Sequence, residues 1–261
     1  MTSWIGLIGE VRKELMLLRS YWFSTVFDVV GYSMLYVAAM FFLGQGEFPD
    51  DLLAGALIGF IVSYFVLETL DHMTRTIEFE AEMGTLEQMM MGAVSPIWLL
   101  VGQVISVHIK GLIGMLLMAV AFILLFDIDA SIFQLETIPI LLIILLGVMG
   151  FGFVMAGMAI IFKQVGSLSN ALFNIILFLN GTFLPVEAMP RWLQIGAQIL
   201  PTTQGIIVIR AVAEDATLMD TMRDGSFFLL LLHSALYLVL GIAFFQFAQW
   251  RAKGDGSLGH Y

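Results

Sequence analysis

The sequence contains no cysteine, which excludes a disulfide framework, a thiolate nucleophile and any cysteine-ligated metal site. Charge is scarce as well: only 12% of the 261 residues are charged while 60% are hydrophobic, and mean hydropathy is +0.96. A soluble domain carries about twice that charge, so the composition is that of a membrane protein. Basic residues are few, 11 Lys and Arg against 21 Asp and Glu. No basic patch exists to neutralise phosphates, which argues against nucleic acid as a partner. No G-x-x-x-x-G-K-[ST] loop or other nucleotide-binding fingerprint occurs, so hydrolysis of ATP by this chain alone is not expected. His72, His108, His233 and His260 are scattered, without ligand spacing, and there is no G-x-S-x-G elbow; neither a metal site nor a catalytic residue is expected. The first twenty residues carry Glu10, Arg12, Lys13, Glu14 and Arg19 in place of an apolar leader core, so the first span is expected to act as its own insertion signal.

What is present is a series of apolar runs, each near the roughly 20 residues that cross a hydrocarbon core, with none of the alternation of barrel strands. Six transmembrane helices are expected: Tyr21 to Leu43, Leu52 to Leu70 with its helix continuing to Arg75, Ile97 to Phe126, Ile138 to Phe162, Val165 to Leu184, and Ser226 to Trp250. The fold class is thus an all-α membrane protein forming one domain over residues 1–261. With an even number of crossings both termini share a side. Arg12, Lys13, Arg19, Arg75, Lys163, Arg251 and Lys253 fall on that side and only Arg191, Arg210 and Arg223 on the other, which predicts cytoplasmic termini. The opposite loops hold most of the acid, including Asp50, Asp51, Asp127, Asp129, Glu136, Glu214, Asp215, Asp220 and Asp224.

Residues 1–20 place Trp4, Ile8, Val11, Leu15 and Leu18 at steps of three and four. That pattern reads as an amphipathic helix in the interface or as an extension of the first span; the tryptophans at Trp4 and Trp22 favour the interface. Between the second and third spans, residues 78–95 carry "EFEAEMGTLEQMMMGAVS". Thr85 to Gln88 match a capping box, Gly92 is a suitable stop, and Ser95 followed by Pro96 starts the next helix. On the short helix Leu86, Met89 and Met90 form an apolar face, with Glu82 and Glu87 near its start. Such a face suits either an adaptable protein contact or lipid headgroups. Residues 185–212 are apolar but broken by Pro185, Pro190 and Pro201, too interrupted for one crossing. Two short helices, Pro190 to Ile199 and Thr202 to Val212, are expected, as a re-entrant pair in the outer leaflet or as an extracellular hairpin.

Ionisable groups inside spans count as functional candidates. Asp28 and Lys110 lie at matching depth, which suggests an ion pair, with snorkelling of Lys110 as the alternative; His108 lies beside Lys110. Glu68 with His72, and Asp71 with Arg75, are i, i+4 pairs at the end of span two. Ser167, Asn170 and Asn174 form a polar stripe on span five, with Asn180 farther along, suited to helix packing, to dimer contact or to substrate.

Taken together, the interfacial helix, the six spans, "EMGTLEQMMMGAVSP" and "FLPVEAMPRWLQIGAQILPTTQGIIVIR" resemble the membrane subunits of type-2 ABC exporters. The resemblance covers nearly the whole chain in layout. It implies that the short helix is a coupling helix seated in a separate cytoplasmic ABC ATPase, with Glu82, Gly84, Thr85, Leu86, Glu87, Met89 and Met90 as docking residues. It also implies two ATPase copies holding ATP and Mg, a second permease copy in a homodimer or a related pair, a setting among the lipids of a prokaryotic plasma membrane, and no cofactor on this chain. Apolar spans with little fixed charge point to hydrophobic drug-like or lipid-like cargo. A polysaccharide exporter of the same fold, and an ion-coupled transporter using Asp28, Glu68 and Lys110 as a relay, are the alternatives.

Overall fold

The computed structural model describes residues 2–20, 22–48, 50–126, 134–214 and 216–256. Tyr21, Asp127, Asp129, Asp215 and His260, and the side chains of Trp4, Glu14, Leu18, Asp50, Asp51, Leu52 and Glu214, lie outside the described residues. Among the described residues the chain is helical without a strand, and its elements are α1 (Thr2–Ser20), α2 (Trp22–Leu43), α3 (Asp50–Glu82), α4 (Leu86–Met91), α5 (Pro96–Phe126), α6 (Thr137–Phe162), α7 (Gly166–Leu179), α8 (Arg191–Ile199), α9 (Thr203–Glu214), α10 (Leu218–Arg223) and α11 (Ser226–Gly254). This is the expected multi-span all-α architecture.

Among the described residues, five helices are long and apolar enough to cross a membrane: α2, α3, α5, α6 and α11. The helix expected over 165–184 is shorter. α7 holds 14 residues, about 21 Å at 1.5 Å per residue, against a core of about 30 Å. It ends where Asn180 turns its amide into the protein interior, as described below. α8 and α9 follow at 97° to one another across the Leu200–Thr202 break at Pro201.

α3 is the hub. It is the most enclosed of the long helices and packs on α2, α4, α5, α6, α7 and α9. At 33 residues it is about 50 Å long, so its last turns project past the hydrocarbon; those turns carry Asp71, Arg75, Glu78, Glu80 and Glu82. Buried aromatic rings join it to its neighbours: Tyr36 of α2 lies between Phe60 of α3 and Phe122 of α5. The Tyr36 hydroxyl, wholly enclosed, donates to the Leu53 carbonyl at 2.6 Å. α6 and α11 form the most extensive helix pair and touch backbone to backbone. A Cβ on Gly241 would fall 1.9 Å from the Gly150 carbonyl oxygen, so only glycine allows the two helices this approach, the usual device where lipid supplies no hydrophobic drive for packing.

Candidate functional site

The features that carry charge or break helical regularity gather at three places: the end of the bundle formed by α4, the middle of the α2–α3–α5 face, and the junction of α7 with α8 and α9.

At the first, α3 stops in a Schellman arrangement: Thr85 N–H bonds to the Glu80 carbonyl at 2.9 Å and Gly84 N–H to the Ala81 carbonyl at 3.0 Å. Gly84 has φ +70°, the left-handed value this motif requires. Thr85 does not form the expected capping box. Its side chain caps nothing in α4; instead its hydroxyl donates to the Glu80 carboxylate at 2.6 Å, because the tight stop of α3 brings Glu80 under it. The apolar face of α4 is also turned from the expected direction. Leu86 and Met90 are buried in the chain's own core, Met89 and Thr85 are half-buried, and Glu82, Gly84, Glu87 and Gln88 are exposed. Met83 and Met91 are 63% and 68% exposed. Leu86 and Met90 thus anchor the helix in the bundle, and Met83, Glu87, Gln88 and Met91 form its outer surface. α4 is held further by Gln249 of α11, whose amide donates to the Met90 carbonyl at 3.5 Å.

Next to α4, Glu78 of α3 accepts the backbone N–H groups of Val165 at 2.6 Å and Gly166 at 3.0 Å. α7 thus receives its N-terminal cap from another helix, where a carboxylate also meets the favourable end of the helix dipole. The sequence signal is only that α7 opens on Val-Gly-Ser after Gln164, with no acidic residue of its own in its first turn.

At the second place, Lys110 has two partners. Its Nζ lies 2.9 Å from Glu68 and 3.7 Å from Asp28. The expected contact of Lys110 with Asp28 forms, but its nearer partner is Glu68 of α3, which the sequence placed with His72. The pair Asp71–Arg75 forms at 2.6 Å. His108 pairs with Thr69, Nε2 to Oγ1 at 3.0 Å. At the N-terminal end Gln103 of α5 donates to Glu10 at 2.8 Å, tying α1 to the bundle.

At the third place, Asn180 is fully buried and organises a network that sequence reasoning left as a peripheral residue. Its amide donates to Ser63 at 3.1 Å and Thr202 at 3.2 Å, and its carbonyl oxygen accepts the Thr182 N–H at 3.0 Å. Ser63 pairs with the Thr182 hydroxyl at 3.1 Å, and Arg210 donates to the Thr182 carbonyl at 2.7 Å. Asn170 and Asn174 are exposed, the Asn174 amide donating to the Asn170 carbonyl at 2.9 Å. Pro185 precedes a single 3-10 turn, Pro190 immediately precedes α8, and Pro201 lies in the break before α9. Beyond them Thr217 and Asp220 form a reciprocal capping box at α10. The Thr217 hydroxyl and amide hold the Asp220 carboxyl below its usual range.

The residues 11–213 match the family described as ABC-2 type transporter. The chain belongs to that family. No curated protein matches it. The matched segment spans α4, the Asn180 junction and the Lys110 trio, so each belongs to the shared permease region. An ABC-2 permease is the transport subunit of an ABC transporter, a multi-pass membrane protein that works with an ATP-binding partner. Among the described residues of this permease no group of three His, Asp or Glu is arranged to hold a metal ion.

Proposed function

We propose that this permease is the membrane half of an ATP-driven exporter in which the outer surface of α4 docks into the ATPase. The observation that carries this is the construction of α4: a six-residue helix clamped inward by Leu86 and Met90 and, with the residues just before it, presenting Glu82, Met83, Glu87, Gln88 and Met91 outward. Too short to be stable alone in water, it keeps its shape through the bundle. Its two exposed methionines are flexible apolar groups suited to a partner that changes shape. Thr85 and Met89, half-buried beside them, border the contact.

On this reading the α4 end is cytoplasmic, in agreement with the excess of Lys and Arg on that side, and both termini lie there in the plasma membrane of a prokaryote. ATP and Mg are held by two ATPase copies, and two permeases form one pathway, because a single chain offers half of one. The exposed Asn170 and Asn174 with Ile175 and Phe178 suit the seam between copies. α8 lays Trp192, Ile195 and Ile199, all exposed, into the outer leaflet. Motion of α4 reaches the pathway through the end of α3 and the Glu78 cap on α7. Hydrophobic or lipid-like cargo fits spans so poor in fixed charge.

The test is co-purification of tagged permease from native membranes with an ATP-hydrolysing subunit, beside Met91→Glu. The expected result is ATPase activity with the wild type and its loss with Met91→Glu at unchanged thermal stability. Recovery of the permease alone, with transport that follows a proton gradient, contradicts docking and favours an ion relay through Asp28, Glu68 and Lys110.

A further inference from the structure

Where α1 lies against the first third of α5 there is an open groove of about 550 Å³, within the roughly 300–1,000 Å³ of small-molecule sites. Ile8, Leu15 and Met16 of α1 and Ile105 of α5 supply apolar lining. Unlike a purely lipid-facing surface, the groove also has cations in its lining, Arg12 and Arg19. Seven residues apart, they fall within about 20° of one another around α1, so both stand along one edge.

The two walls are held together at close range. A Cβ on Gly102 of α5 would meet the Leu7 carbonyl oxygen of α1 at 3.2 Å, and Gln103 donates to Glu10 at 2.8 Å. Glu10 also pairs with Lys13, so this carboxylate of α1 is already engaged and lies outside the groove lining. Arg12 and Arg19 are both exposed, and neither makes an ion pair or hydrogen bond among the described residues. The groove thus offers two unmatched guanidinium groups beside apolar surface.

Depth fixes the kind of ligand. One residue separates α1 from α2, a helix long and apolar enough to cross the membrane, and α1 rests on the turns of α5 that follow α4 and Pro96. The groove therefore lies at the membrane surface on the α4 side, where arginine heads reach the headgroup layer. What fits is an apolar chain along Ile8, Leu15 and Ile105 and an anion at the arginines, whose planar forks match phosphate oxygens. Basic pockets between membrane helices hold anionic headgroups by this chemistry. The whole chain carries a net charge of −10, so its general field repels anionic lipid, and a preference for such lipid has to arise in the groove itself.

We propose that the α1–α5 groove is a site for an anionic phospholipid of the leaflet on the α4 side, with its phosphate held by Arg12 and Arg19 and an acyl chain lying against Ile8 and Ile105. The bound lipid fastens α1 to the bundle along the edge that Glu10 and Gln103 leave open. The site does not rest on the transport reading above, since it needs no ATPase.

The test is photolabelling of purified permease in phosphatidylcholine nanodiscs, without any ATPase. The probes are phosphatidylglycerol and phosphatidylcholine bearing the same diazirine acyl chain, and the adducts are mapped by peptide mass spectrometry. The expected result is saturable labelling of α1 and of the α5 segment around Ile105 by the phosphatidylglycerol probe, competed by unlabelled phosphatidylglycerol and not by inorganic phosphate. Arg12→Gln with Arg19→Gln weakens it about tenfold, one tenfold step being about 1.4 kcal/mol. Lys13→Gln removes a charge from the same helix outside the groove lining and leaves labelling unchanged. Ile105→Trp fills the groove from a partly exposed position and abolishes labelling; should it unfold the protein, Ile8→Trp on the opposite wall gives the same block. Equal labelling by both probes, displacement by inorganic phosphate, or a loss with Lys13→Gln as large as with the arginine pair overturns the proposal. A permease that is labelled but recruits no ATPase keeps this site and loses the transport reading; one that recruits an ATPase but shows no preference for the anionic probe loses the site alone.

Discussion

Asn180 shows how much one side chain holds at the junction of α7, α8 and α9. With Asn180→Leu, the Ser63 and Thr202 hydroxyls and the Thr182 N–H lose a partner in a dry interior. Each buried polar group left unpaired costs about 1–3 kcal/mol. Thermal unfolding in lipid should therefore show a large loss for Asn180→Leu and little for Asn174→Leu, whose side chain is exposed; equal melting of both would remove the network from the account of the fold. None of this was legible in the sequence. The asparagine stripe was visible, but the partners of Asn180 come from α3 and from beyond the α7 break, and no local pattern announces them. Lys110 was legible in part, since its expected contact with Asp28 forms at 3.7 Å. Matching depth brought Asp28 to attention, whereas the closer partner, Glu68, sits on a third helix whose rotation only packing fixes.

Among elements, α4 and α7 were read unequally well. The short helix, its glycine stop and the proline start of α5 are written in adjacent residues, so local chemistry sufficed. Which way α4 faces was not. Its apolar stripe at Leu86 and Met90 meets the core rather than a partner, because a six-residue helix must bury an anchor to stay folded at all. The length of α7 was overestimated because the apolar run to Leu184 continues past the buried Asn180, and hydropathy does not register where a polar group turns inward. The cap from Glu78 was likewise invisible, since it joins residues 87 positions apart. Its removal in Glu78→Ala should cost about 0.5–2 kcal/mol, the range for lost caps. Hydrogen exchange at the first turn of α7 should accelerate accordingly, with Glu80→Ala as the control that leaves that turn unchanged. Equal exchange in wild type and Glu78→Ala would mean that α7 needs no cap from α3.

For the whole molecule, the bundle is organised by α3 at its centre and by the glycine contact of α6 with α11. Gly241→Leu forces these helices apart, since even its Cβ would lie 1.9 Å from the Gly150 oxygen. Overpacking costs typically 1–3 kcal/mol or more, so reduced thermal stability and poor insertion yield are expected, and a wild-type melting curve would show that the crossing is looser than described. Composition alone set the membrane class and the helical fold, and the family follows from residues 11–213. How α4, α3 and α7 are joined into one end is a tertiary fact, and it is this end that makes transport by a separate ATPase mechanically sensible. Because the sequence lacks cysteine, Gln88→Cys places a unique thiol on the exposed surface of α4. The most direct measurement is therefore thiol cross-linking of Gln88→Cys in native membranes, with the product probed by photoreactive ATP. Docking predicts a cross-linked species that contains both this permease and an ATP-labelled subunit, and that disappears with Met91→Glu added. A thiol that reacts only with lipid or with reagent from the side opposite the termini would contradict it.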